Sequence, residues 1–307
     1  MRKFIIYLVF ILLLVSCSKP TRTIPLPTDT PKPIESTDSI LPAPESKVEV
    51  NEIGTKGNNA YGIEIYPHQK LVYWSDINIP SQWDIINESY FAGTMYVAGD
   101  FVGTDYTTMY VISYTFNDLR KINVNTGFTT IIGKLNRYDD IGGWTGMAGA
   151  KDGTCYLTST NGEHTVLYTV DLQTAETTVI GVTTDAPVII DIAITANNIM
   201  YGLDIRTDSL FKIDINTGQV SLIGPVGFDA NYSQDMDYDD DHNILYLAAY
   251  NRDTFQGELR MADTNTGMST LVGPFPNGDE IAGFSIVPHP KTITNEEYLI
   301  PVLKDNK

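Results

Sequence analysis

A β-propeller of four-stranded blades is the fold class this sequence predicts, and three observations predict it. First, a fifteen-residue unit occurs four times without a gap, at residues 119–133, 167–181, 210–224 and 259–273. Second, the glycines that close the units (Gly133, Gly181, Gly224 and Gly273) fall 48, 43 and 49 residues apart. A fixed period in the forties marks stacked supersecondary units. Third, a further strand pair precedes three of the units, and its tyrosines, Tyr156, Tyr201 and Tyr246, are 45 residues apart each time. Four short strands in about 45 residues make one propeller blade.

Each fifteen-residue unit explains itself as a β-hairpin. Leu and Ile or Val alternate with polar residues before the turn, and Thr, Ile, Val and Leu follow it, which is strand chemistry. Asn123, Asp171, Asp214 and Asp263 open the turn, since an Asx side chain can accept from its own downstream backbone. Four residues later stand Gly127, Gly218 and Gly267, suited to positive φ where the chain reverses. Ala175 occupies that place in the second copy. Alanine in a left-handed site costs roughly 1 kcal/mol, so Ala175→Gly is expected to stabilise. The Asx residues are read as turn formers rather than acids.

The blades follow in order. Three are regular, at 142–181, 189–224 and 234–273, and a less regular one covers 88–133. What remains is one late strand, at 281–287, and two or three early ones, including 61–66 and 71–74. Together they form a last blade closed between the N- and C-terminal strands. The expected count is five, with six as the alternative. A stack of hairpins leaves edges exposed unless it closes into a ring, which favours a propeller over an open solenoid.

The first residues are targeting sequence. Arg2 and Lys3 precede a continuous apolar run from Phe4 to Val15, too short and wrongly flanked for a membrane span. The run ends Leu14-Val15-Ser16-Cys17, which resembles a bacterial lipoprotein signal. The resemblance implies cleavage before Cys17, lipidation of its sulfur and acylation of the new amino terminus; several acyl chains anchor stably where one is marginal. Ser18 resembles the signal that favours outer-membrane sorting. The expected organisation is therefore a signal peptide at 1–16, the lipidated Cys and a Pro/Thr-rich linker at 17–57, the propeller at 58–290 and a tail at 291–307. The linker holds Pro20, Pro25, Pro27, Pro31, Pro33, Pro42 and Pro44, a composition that cannot bury enough surface to fold. The expected location is the cell envelope, at the outer membrane or cell surface.

Composition excludes several functions. The net charge of −18 becomes about −20 once Arg2 and Lys3 are removed, and such a chain repels nucleic acid. With Cys17 lipidated, Cys155 is the one remaining thiol, so no intramolecular disulfide forms. His68, His164, His242 and His289 stand on separate segments without a metal-ligand spacing.

The pattern Leu-Tyr-x-Ile-Asp-x-x-Thr-Gly-x-x-x-x-Ile-Gly, after an aliphatic-Tyr-Gly strand, resembles the YVTN/PQQ-like family of secreted bacterial propeller repeats. The resemblance spans about 88–287. Segments 227–238 and 245–250 also resemble propeller regions of bacterial surface proteins and of chains carrying secreted peptidase domains. It implies a fold and an extracytoplasmic setting but no reaction. The tryptophan docking positions of the quinone enzymes are missing, since the tryptophans are Trp74, Trp83 and Trp144; no cofactor is expected.

Candidate ligand contacts follow from topology. Loops leading into a blade's first strand open on the same face as loops joining its second and third strands. The first set carries Trp144, Phe228, Asp229, Asn231, Tyr232 and Gln234, and the second carries His164, Asp204, Arg206 and Arg252. First strands ring the channel and carry Asp191, Asp235 and Asp237. Aromatic faces beside Asp, Asn and Arg suit a polyhydroxylated ligand or a peptide loop. The expected function is a monomeric, lipid-anchored binding module for a glycan, a cell-wall fragment or a protein partner. One alternative is a glycoside hydrolase or lyase using channel carboxylates such as Asp191 and Asp237, paired across the scissile bond. Another is a passive surface module. Asp235, Asp237, Asp239 and Asp241 form a weak calcium candidate, because their spacing departs from that of a calcium loop.

Overall fold

The computed structural model describes residues 58–66, 69–87, 94–139, 142–231 and 234–288. It is a five-bladed propeller, each blade a sheet of four antiparallel strands. Blade 2 is β4 (Tyr96–Phe101), β5 (Thr108–Ser113), β6 (Asp118–Asn123) and β7 (Thr129–Lys134). Blade 3 is β8 (Gly143–Gly149), β9 (Cys155–Thr160), β10 (Thr165–Val170) and β11 (Thr177–Thr183). Blade 4 is β12 (Ile189–Ile194), β13 (Met200–Asp204), β14 (Ser209–Ile213) and β15 (Val220–Pro225). Blade 5 is β16 (Asp235–Asp239), β17 (Ile244–Asn251), β18 (Gln256–Ala262) and β19 (Ser269–Pro274).

Blade 1 closes the ring from both ends. β1 (Asn59–Tyr66), β2 (Lys70–Trp74) and β3 (Asp84–Asn87) pair with β20 (Glu280–Val287), which lies innermost in the order β20-β1-β2-β3. Ala60 faces Ile286 and Tyr61 faces Ser285 in that register. The inner strands β20, β4, β8, β12 and β16 each pack on the next, and β16 returns to β20. The expected five blades and the closure between ends are thus as the sequence reads. The signal segment, Cys17 and the proline-rich linker lie outside the described residues. Among the described residues no helix is long and apolar enough to cross a membrane.

The hydrophobic core sits between blades. Ala98, Ile112 and Leu119 of blade 2 meet Trp144, Met147, Leu157 and Tyr168 of blade 3. Tyr156 and Leu167 of blade 3 meet Ile189, Ile192 and Phe211 of blade 4. Trp74, Tyr246, Leu259 and Phe284 join blades 5 and 1, with Trp74 edge-on to Phe284 at 5.8 Å.

The repeat unit turns out to be two devices in one. Its start is the predicted Asx turn: Asp171 Oδ1 accepts from Gln173 N at 2.7 Å and from Thr174 N at 2.9 Å. Asp263 does the same for Asn265 N and Thr266 N. The turn's last residue is left-handed in every copy, with φ of 69° at Gly127, 66° at Ala175, 70° at Gly218 and 81° at Gly267. Its end is an interlock with the next blade. A Cβ added at Gly181 would lie 1.9 Å from the Thr217 carbonyl oxygen, and one at Gly224 2.1 Å from that of Thr266. At Gly133 the corresponding distance to Thr174 O is 2.6 Å. The closing glycine of one blade therefore seats the Thr-Gly turn of the following blade.

Outer strands present free edges, and each is blunted. Register shifts fall between Leu71 and Val72, Leu119 and Arg120, Leu167 and Tyr168, Leu210 and Phe211, and Leu259 and Arg260. Such bulges twist an edge away from further pairing.

Candidate functional site

Two sets of side chains stand out: the carboxylates of the central channel and the loops above them. The first set lies on inner strands, whose channel-facing edge leaves backbone N–H groups without a ladder partner. Neighbouring blades supply the missing acceptors. Asp100 Oδ2 accepts from Gly149 N of blade 3 at 2.8 Å, while its Oδ1 takes Phe101 N at 2.7 Å. Asp237 Oδ2 accepts from Ile286 N of blade 1 at 2.7 Å and its Oδ1 from Tyr238 N. Asp235 Oδ1 takes Met236 N at 2.8 Å. The inner-strand aspartates thus staple one blade to the next.

Asp191 differs. Its carboxyl meets that of Asp235 as a hydrogen-bonding pair. Apart from that contact, the two Asp191 oxygens and Oδ2 of Asp235 have no donor in full hydrogen-bond geometry. The backbone N–H groups of Ile192 and Met236 lie near enough to act downward on Asp191, and those of Met236, Phe284 and Gly283 on Asp235. Burial dominates throughout: it raises Asp100 and Asp235 to about 7, and Asp191 and Asp237 well above the usual carboxylate range. Mutual repulsion adds to this, from Asp235 on Asp191 and from Asp100 on Asp237. Asp191 and Asp237, which the sequence places as ligand contacts or catalytic acids, are 1% and 9% exposed.

The calcium candidate does not converge. Asp239 ends β16, where its Oδ1 accepts from Asn58 Nδ2, Asp241 N and His242 N, and its Oδ2 meets His242 Nδ1 at 2.7 Å. Asp240 turns instead to Lys151 Nζ at 3.0 Å and to Ala196 N. Asp239 is a turn cap, its carboxylate taken up by Asn58, Asp241 N and His242. Among the described residues, no group of three or more His, Cys, Asp or Glu side chains is arranged to hold a metal ion.

The loop face opposite the Thr-Gly turns divides into side chains buried in the fold and side chains that reach solvent. Trp144 is 2% exposed, stacks edge-on to Tyr168 at 5.0 Å and donates Nε1–H to Asn117 Oδ1 at 2.7 Å. Asp204 is fully buried; its Oδ2 accepts from Val188 N and its Oδ1 from Arg206 N and Thr207 N. Phe228 is buried under Arg260, whose Cζ lies 4.5 Å from the ring centre and whose Nε pairs with Glu258. Gln234 is buried and donates to the Asn231 carbonyl. These four expected contacts serve the fold, because the loops leading into each blade fold back over the ring and need internal partners. Asp229 and Asn231 are half-buried, Arg252 is exposed with its N–H bonded to Asp229 O, and Tyr232 lies outside the described residues.

What the face does offer is a group drawn from two segments, residues 138–139 and 161–164, that the sequence separates by 22 residues or more. His164 Nε2 meets Asp139 Oδ2 at 2.6 Å, and Asn161 Nδ2 approaches the same oxygen at 3.4 Å. Tyr138 stands edge-on to His164 at 6.3 Å and is 61% exposed. Arg206 reaches across from blade 4 to donate to the Gly162 carbonyl. Phe116 and Phe255, in the second-to-third loops of blades 2 and 5, are 44% and 72% exposed. Fixed polar groups around protruding aromatic rings form a surface suited to binding.

A cleft of about 330 Å³ lies on the other face of blade 5, between Asn243, Ile244, Met261, Asn265 and Met268.

Comparison with known proteins agrees with a propeller of repeats. A family model described as a repeat of unknown function (DUF6923) matches residues 106–234. No curated protein matches the chain in sequence. Solved structures with similar folds include a chain of a nidogen/laminin complex, at 10% identity and TM-score 0.49, covering 75% of this chain and 98% of that one. Others are a calcium-binding regucalcin from Agrobacterium tumefaciens (13%, TM-score 0.48, covering 76% and 75%) and TolB from Acinetobacter baumannii (14%, TM-score 0.46, covering 76% and 67%). Identities this low speak to fold alone.

Proposed function

We propose that this chain is a lipid-anchored, extracytoplasmic binding module whose ligand contacts lie on the loop face of blades 3 and 4. The observation that carries the reading is the Tyr138 group. An exposed ring stands beside a His164–Asp139–Asn161 set whose geometry is already fixed. Aromatic platforms with preset polar neighbours favour a glycan or a peptide loop, since little ordering remains to be done on binding. The channel carboxylates support this reading over hydrolysis, because Asp100 and Asp237 are engaged in holding strands of the neighbouring blades.

The anchor rests on the lipobox-like Leu14-Val15-Ser16-Cys17. Fractionation of cells expressing Cys17→Ala tests it: release of the protein from the membrane is expected, and unchanged membrane association would remove the anchor. Binding is tested by thermal shift of wild type and Tyr138→Ala against oligosaccharides, peptidoglycan fragments and extracted surface proteins. A ligand at 100 times its Kd adds about 2.7 kcal/mol. A saturable shift that Tyr138→Ala abolishes supports the site. A shift equal in both proteins would place the ligand elsewhere.

A further inference from the structure

The channel contains a buried charge problem that the binding function does not use. Asp191 and Asp235 come from the inner strands of adjacent blades, are 1% and 2% exposed, and meet carboxyl to carboxyl. Apart from this contact, three of their four oxygens lack a donor in full hydrogen-bond geometry, the N–H groups of Phe284 and Gly283 lying only near enough to act on Asp235. Gly146 of blade 3 packs so closely on Asp191 that an added Cβ would sit 2.9 Å from its Oδ1. Two ionised carboxylates cannot share such a position.

We propose that Asp191 and Asp235 hold one proton between them and so form a pH-sensitive latch between blades 4 and 5. One carboxyl donates its O–H to the other, which accepts as carboxylate. The proton converts a repulsive contact into a hydrogen bond across the blade junction. When it is lost, two like charges face each other with no counter-ion, and the β12–β16 junction loosens.

The surroundings favour the protonated form. On the elements around the pair, the titratable groups are Asp100 and Tyr96 on β4, Cys155 and Tyr156 on β9, Tyr201 and Asp204 on β13, Tyr246 and Tyr250 on β17, Asp237, Tyr238 and Asp239 on β16 and Glu280 on β20; β8 brings none. Asp100 and Asp237 add negative charge to the same channel. Lys151 pairs with Asp240, and the largest charge effect on Asp191 is the repulsion of Asp235. The sign follows from linkage. A buried acid whose folded pKa is raised binds more protons folded than unfolded. Stability therefore falls as pH rises from the unfolded value of 3.8 towards about 7.

The test compares wild type, Asp191→Asn and Asp235→Asn in melting temperature between pH 5 and pH 8, with and without calcium and a chelator. Asparagine places an amide donor where the shared proton stands, at every pH. The expected result is a wild type that loses several degrees from pH 5 to pH 8, and variants that lose clearly less and exceed wild type at pH 8. A pH-independent wild type would overturn the latch. So would variants that lose as much as wild type, or a wild type restored at pH 8 by calcium, which would mean that a cation holds the pair. If a variant fails to fold, infrared spectroscopy of wild type decides. A protonated carboxylic C=O band persisting above pH 5 in the native protein is expected, and its absence would refute the proposal.

Discussion

Replacing the closing glycines one at a time gives a graded prediction that rests on geometry alone. In Gly181→Ala the new methyl would lie 1.9 Å from Thr217 O and 2.8 Å from Thr217 C. That carbonyl belongs to a turn held by Gly218 N donating to Asp214 O at 2.8 Å. Relief therefore requires the whole turn of blade 4 to back away from blade 3. Forcing extra volume into a packed contact typically costs about 1–3 kcal/mol, and a backbone obstacle puts this site at the upper end, about 3 kcal/mol. For a domain of this size that is roughly 6–12 °C in Tm. The cost should fall through Gly224→Ala, with 2.1 Å to Thr266 O, to Gly133→Ala, with 2.6 Å to Thr174 O. Gly273→Ala should be nearly silent, because its Cβ meets only the Pro80 ring at 3.1 Å. Calorimetry on the four variants, with urea denaturation to check that the m-value is unchanged, measures the series. An order that does not follow the distances, or a Gly273→Ala as damaging as Gly181→Ala, would refute the interlock.

Other expectations follow from the same coordinates. Ala175→Gly relieves a φ of 66°, worth about 1 kcal/mol, but removes a fully buried methyl worth about 0.8 kcal/mol; its Tm should stay within about 2 °C of wild type, where the sequence alone predicts a gain. Trp144→Ala should destabilise the domain by about 3–5 kcal/mol in urea denaturation instead of selectively removing a ligand. Cys155 is buried and its thiol is pushed up by burial, so alkylation by iodoacetamide should begin only on unfolding, with native and unfolded rates measured by mass spectrometry. The turn aspartates Asp171, Asp214 and Asp263 have pKa values lowered by backbone N–H groups. Their contribution is present above 3.8 and lost as pH falls through the folded value. The channel acids act with opposite sign between 3.8 and about 7. Stability measured across pH should therefore peak in mild acid; a curve rising steadily from pH 5 to pH 8 would contradict the channel assignment, and one that does not fall below pH 3.8 the turn assignment.

The fold was readable because its signals are local. An Asx residue and a glycine four positions later specify a turn wherever they occur, and fourfold repetition fixes the blade. The closing glycines were visible as a pattern, but their reason was not, since it lies about 40 residues downstream in the next blade. The loop face was harder for the same cause. Trp144 in a loop-proximal position reads as an exposed aromatic until Asn117, from another blade, is seen to accept from it. Alternation could point Asp191 and Asp237 towards the channel. It could not say that Ile286 N waits for one of them while the other faces a second carboxyl. Tyr138 escaped attention because His164 is remote in sequence.

The pairing of β20 with β1 has a temporal meaning. Ala60 cannot find Ile286 until more than two hundred residues between them have been made, and until then blade 1 lacks its inner strand and the ring has a gap. Contacts so distant along the chain form slowly. A polypeptide emerging from N- to C-terminus would thus stay an unclosed ring until its synthesis had passed Val287, and blade 1 would be the last blade to be completed.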